Sequence, residues 1–72
     1  MIEIFKTNVT KKNVSKRVTN QLLEAIPNAS INFDLEDRDR ILRVQNDQQN
    51  FDVQQIITLV DKMGFYCEVL QD

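Results

Sequence analysis

The 72-residue sequence holds no histidine, one cysteine, one glycine and one proline. Without His there is no imidazole base, and no Ser/His or Cys/His nucleophile pair can form. A lone Cys67 cannot close an internal disulfide, and structural zinc takes about four nitrogen or sulfur ligands that this chain does not offer. A single unpaired Cys suits a reducing compartment. No apolar run approaches the ~18 residues of a membrane-spanning helix. The opening MIEIFKTN has no hydrophobic segment of signal-peptide length. These absences suggest a cytoplasmic protein that neither spans nor binds a membrane. The scarcity of Gly and Pro leaves few special turns and favours regular elements. It also excludes a glycine-rich phosphate loop.

What is present reads as one small globular domain over residues 1–72, with 42% apolar and 28% charged residues. The net charge is −2, but it is unevenly spread. Residues 1–20 carry Lys6, Lys11, Lys12, Lys16 and Arg17 against Glu3, while residues 21–72 carry four positive and ten negative charges. Such a split can orient a partner and speed its approach. Asn-x-Ser/Thr occurs at Asn8, Asn13 and Asn28, and these residues read as turn and cap chemistry rather than glycosylation sites.

IEIFK, residues 2–6, alternates Ile2 and Ile4 against Glu3, a strand pattern with the isoleucines on the buried face. Val14, Val18, Leu22 and Ile26 recur every four residues as a helix stripe, thickened by Leu23 and Ala25. Thr10 offers an N-cap hydroxyl, and Pro27 stops the helix. SINFDL (30–35) and RILRVQ (40–45) form a hairpin across the polar EDRD, which has no Gly to fix its turn type. Asn50 or Asp52 can cap a second helix carrying Val53, Ile56, Ile57, Val60 and Met63 and ending at Gly64. FYCEVL (65–70) is the last strand, with Phe65, Cys67 and Val69 on one face, which should point at the helices and make Cys67 a core residue. The order β-α-β-β-α-β predicts an α+β ferredoxin-like sandwich: a four-stranded antiparallel sheet with two helices on one face. Phe5, Ile41 and Tyr66 are expected on or near the other, open face.

Three stretches then resemble the heavy-metal-associated domain of copper chaperones and metal-pumping ATPases. Asn8-Val9-Thr10-Lys11-Lys12-Asn13-Val14 is similar to that family's Gly-Met-Thr-Cys-x-x-Cys loop, INFDLE (31–36) to its hairpin entry, and Asp61-Lys62-Met63-Gly64-Phe65 to its last turn. The resemblance implies the ferredoxin-like fold and a role in metal trafficking. It departs where the family holds its metal. The two Cys that would grip a soft ion such as Cu(I) are replaced by Lys11, a cation, and Val14, which has no donor atom. No metal or cofactor is therefore expected at that loop. Lys11 either puts a fixed charge where the family puts a cation or is an exposed Lys with no such role.

Other chemistry is thin. Asp34, Glu36, Asp37 and Asp39 cluster at a hairpin tip with Arg38 and Arg40 between them, which reads as a solvated turn, not an acid/base pair or a calcium loop. RILRV gives the sheet no aromatic for stacking a base, and the net charge is negative, so nucleic acid is not expected. No catalytic site appears. Two functions are left. The first is a protein-interaction module, a monomer or weak dimer, whose basic face of Lys6, Lys11, Lys12, Lys16 and Arg17 docks an acidic partner, as the resemblance implies for this face. The second is an unconventional soft-metal carrier using Cys67 and Met63.

Overall fold

The computed structural model describes residues 1–71; Asp72, counted in the single domain above, lies outside them. The chain runs β1 (Ile2–Thr7), α1 (Lys12–Ala25), β2 (Ser30–Asp34), β3 (Ile41–Gln45), α2 (Val53–Lys62) and β4 (Cys67–Val69). The strands form one antiparallel sheet in the order β2-β3-β1-β4. This is the ferredoxin-like α+β arrangement, with β1 and β3 in the middle and β2 and β4 at the edges.

Register decides which side chains meet the helices. Phe5 stands opposite Leu42 and Val69, and Leu42 stands opposite Phe33. Phe5, Leu42 and Val44 from the sheet, Val18 and Leu22 from α1, and Ile56 and Val60 from α2 are all fully buried in one cluster. Each is worth roughly 1.5–3 kcal/mol of burial. Phe5 therefore faces the helices, and Ile2 and Ile4 take the open face, the reverse of the alternation read from IEIFK. The reason is volume: the run offers two registers, and the aromatic fills the central inward position. Ile2 is 52% exposed as a result. Ile41 shares the open-face register with Lys6, yet it is only 6% exposed, and Tyr66 beside β4 is 48% exposed.

α1 ends as the sequence predicts, with Ile26 as its C-cap just before Pro27, but Ala25 is exposed and does not widen its buried stripe. Its start differs too. Lys11, not Thr10, is the N-cap residue, in extended conformation and with no side-chain cap. α2 is finished at both ends. The Asp52 carboxylate accepts the Gln54 N–H at 2.9 Å. Gly64, at φ +94°, supplies the left-handed residue after the C-cap Met63. Its N–H reaches the Asp61 carbonyl and the Phe65 N–H reaches the Val60 carbonyl, the paired bonds of a Schellman ending.

The β2–β3 turn has no Gly, and Arg40 takes the left-handed conformation instead, at φ 47°. Such a residue costs roughly 1–2 kcal/mol and needs support. Thr7 provides it: its hydroxyl donates to the Arg40 carbonyl at 2.6 Å and its N–H to the Asp39 carbonyl at 3.1 Å. The Arg40 guanidinium also donates to the Leu35 carbonyl. Inside the turn, the Asp34 carboxylate accepts the N–H groups of Glu36 and Asp37, and the Asp37 carboxylate accepts that of Asp39. The acidic cluster is thus turn chemistry.

Candidate functional site

The loop between β1 and α1 is fixed from three directions. Val9 is fully buried, although it lies in the loop. Its N–H donates to the Thr7 hydroxyl oxygen at 3.2 Å. The Asn8 side-chain oxygen accepts the Tyr66 N–H at 2.8 Å, which ties the loop to the start of β4. Asn8 therefore works as a turn residue, as its sequence context suggests. Such anchoring sets the entry angle of α1 and the position of its first turn.

That first turn is electrostatically unfavourable. A helix N-terminus carries partial positive charge on its unpaired N–H groups. Here it meets Lys11 and Lys12, with Lys16 and Arg17 one turn on, no acidic residue and no side-chain cap. All four cations are exposed. Ser15 is buried and turns its hydroxyl back to the Lys12 carbonyl at 2.7 Å, so it does not cap the free N–H groups either. Among the described residues the one ion pair is Lys6 with Asp39, at 3.8 Å.

The five basic residues grouped from the sequence do not share one surface. Lys6 is on the open face of the sheet, opposite Ile41 and Glu68 in register, while α1 covers the other face. The basic face is therefore Lys11, Lys12, Lys16 and Arg17, with Lys6 on the far side. Strand alternation separates them, an effect invisible until the register of β1 is known. Lys12 and Lys16 stand one helical turn apart on the flank of α1 nearest β2, where they line a hollow with Thr19, Ile31 and Phe33. The hollow was not foreseen. Its only trace in the sequence is that SINFD, an edge strand, carries neither Pro nor Lys to protect it.

The residues weighed for metal lie elsewhere. Val14, at one of the positions the resemblance assigns to a ligand, is half-buried and packs on the core; Lys11, at the other, is exposed. Cys67 is 6% exposed, opposite Thr7 and inside the core cluster. Burial, aided by the Glu68 carboxylate, pushes its thiol from 9.0 up to about 12, so it is neutral at ordinary pH. Met63 is half-buried at the end of α2 and packs on the same core. No group of three or more His, Cys, Asp or Glu side chains converges as a metal site would require, among the described residues.

The arrangement defines an α+β ferredoxin-like domain with a cationic helix start beside an unguarded sheet edge. Comparison with known proteins adds nothing to this class: no family model, no curated protein and no solved structure matches the chain.

Proposed function

We propose that this chain is a small cytosolic protein-interaction module, similar to a heavy-metal-associated domain without its metal ligands, that docks an acidic protein through α1. One observation carries the reading. Lys11, Lys12, Lys16 and Arg17 crowd an uncapped helix start that the loop anchors hold in place, and none of them has an acidic partner within the described residues. Like charges against a helix dipole cost a few tenths of a kcal/mol each. An incoming carboxylate would remove that penalty and gain charge-assisted hydrogen bonds from lysine and backbone donors together.

The soft-metal reading draws less support. Its thiol is buried, and a neutral thiol is a poor ligand. Catalysis draws no specific support: the acidic and basic side chains that line the surface hollows, Lys12, Asp34, Glu36, Asp52 and Lys62 among them, are exposed.

The test is charge reversal. A protein retained by the immobilised wild-type domain, once purified, should lose at least tenfold in affinity for the Lys11→Glu, Lys12→Glu, Lys16→Glu triple variant, whose circular dichroism should match the parent and whose melting temperature should be no lower. Equal affinity for parent and variant would remove α1 as the docking face.

A further inference from the structure

The edge of the sheet beside the basic helix is open in a way the hydrogen-bond ladder makes explicit. Met1 and Asn46 exchange two bonds: the Met1 amino group donates to the Asn46 carbonyl at 2.7 Å, and the Asn46 N–H donates to the Met1 carbonyl at 2.8 Å. Antiparallel pairs alternate between bonded and non-bonded. Counting on from that pair, Val44 and Leu42 turn their backbone groups toward β1. Gln45, Arg43 and Ile41 must then turn theirs toward β2, where they stand opposite Ser30, Asn32 and Asp34. Ile31 and Phe33 are left with N–H and C=O pointing outward from the sheet. Their side chains, half-buried, lie on the helix side and pack on the core.

The space beyond this edge is a hollow of about 550 Å³ between α1 and β2. Lys12 and Lys16 stand over it from the helix, with Ile31 and Phe33 on the strand side. A helical turn carries Lys16 about 6 Å past Lys12. Alternate residues of an extended chain are spaced by about 6.6 Å. A strand laid along β2 therefore puts two side chains of its inward series beside these two lysines. At the hairpin end Lys12 and Phe33 also line a second hollow, with Leu35, Arg43 and the carboxylates of Asp34 and Glu36, which repel further carboxylates there. At the other end the first hollow is lined by Ile31, Thr19 and Asn20.

We propose that the α1–β2 edge receives an extended acidic segment of a partner protein as a fifth strand. Two of its carboxylates, on alternate residues, pair with Lys12 and Lys16, and the next inward residue is apolar and covers Ile31. Its backbone completes the free groups of Ile31 and Phe33, a recurrent mode of peptide capture. This builds on the docking face proposed above and gives the partner a form. A second copy of the chain is the poorer occupant. Antiparallel pairing of two β2 strands about Asn32 sets Lys12 of one copy beside Lys16 of the other, like charge against like.

The probe is a blocked peptide, Thr-Glu-Thr-Glu-Thr-Val-Thr, which runs antiparallel to β2 and is titrated into ¹⁵N-labelled protein. Two further versions carry N-methyl groups on alternate residues, one in each phase, which removes the N–H donors of one edge of the peptide at a time. The expected result is amide shifts at Ile31, Asn32 and Phe33 together with residues 12–16. One methylated phase should bind and the other should not. Lys12→Glu with Lys16→Glu should weaken the parent peptide at least tenfold without lowering the melting temperature. Shifts confined to residues 11–17, with both methylated peptides binding equally, would overturn strand addition and leave charge-based docking standing. No shift at millimolar parent peptide would overturn it too, and the triple reversal against a folded partner would then judge the docking face separately. A concentration-dependent dimer that pairs through β2 and excludes the peptide would make a second copy the occupant and would also sink the proposal.

Discussion

Cys67 and Thr7 stand opposite each other across β1 and β4, and each shows what one side chain can decide. Cys67 is held neutral by the core around it. Its folded value, about 12, lies above the ordinary 9.0, so the unfolded chain gives up the proton first as pH rises. Stability is therefore unaffected below about pH 9 and falls between 9 and 12, by up to about 1.4 kcal/mol per pH unit. Urea melts of the wild type and of Cys67→Ala should diverge in slope only in that window, which cancels the other titrating groups. A disulfide-exchange reagent at pH 8 should modify Cys67 only at the rate of opening; immediate reaction in the native protein would bring the soft-metal reading back. The inward position of Cys67 was legible from the alternation of its strand. The role of Thr7 was not, because its partner carbonyl on Arg40 is 33 residues away. Thr7→Val should cost about 1–3 kcal/mol by leaving the Arg40 carbonyl and the Val9 N–H without the hydroxyl, and Thr7→Ser should restore most of it. Equal melting temperatures for all three proteins would show that the Arg40 turn holds itself.

The two helices differ in how their ends are treated, and this gives predictions that run in opposite directions. α2 has an Asp52 cap, Lys62 in its last turn and the Gly64 ending, all favourable. Asp52→Ala should remove about 1 kcal/mol, some 4–8 °C of melting temperature in a domain this small. α1 begins uncapped among lysines. Lys11→Asp places a capping oxygen and a negative charge at that end, and should stabilise the fold by about 1 kcal/mol. The same change should weaken binding to an acidic partner. A variant both more stable and equally tight in binding would show that the basic start has no docking role. Both helices were legible because stripe, cap and stop signals are local. The start of α1 was misplaced by one residue because Thr10 has the right chemistry for a cap, while the chain stays extended through Lys11 before it turns. The extended state of Lys11 follows from the anchors of the preceding loop on Thr7 and Tyr66, which no local signal records.

At the scale of the molecule, the element order alone carried the fold, since β-α-β-β-α-β with few turns has few ways to close. What it could not carry was the register of a central strand with apolar residues on both faces. Ile2, Ile4 and Phe5 fit either side of β1, and only pairing with β3 sends Phe5 inward and Lys6 outward. That single choice divides the basic residues between two surfaces and removes Lys6 from the docking face. It also separates two kinds of electrostatics. The fold leans little on charge, with one exposed ion pair at 3.8 Å among the described residues, worth at most about 1 kcal/mol. Docking as proposed leans on charge for its approach, through four cations on one helix start of a chain that is acidic elsewhere. Raising the salt from ~20 to ~200 mM shortens the screening length about threefold. The melting temperature should move by no more than a few degrees, and upward if at all, because screening relieves repulsion among Lys11, Lys12 and Lys16. The association rate with an acidic partner should fall about tenfold over the same range, with the dissociation rate nearly constant. Stopped-flow mixing beside thermal melts at each salt concentration measures both. If stability and association fell together, the lysines would be holding the fold rather than steering a partner.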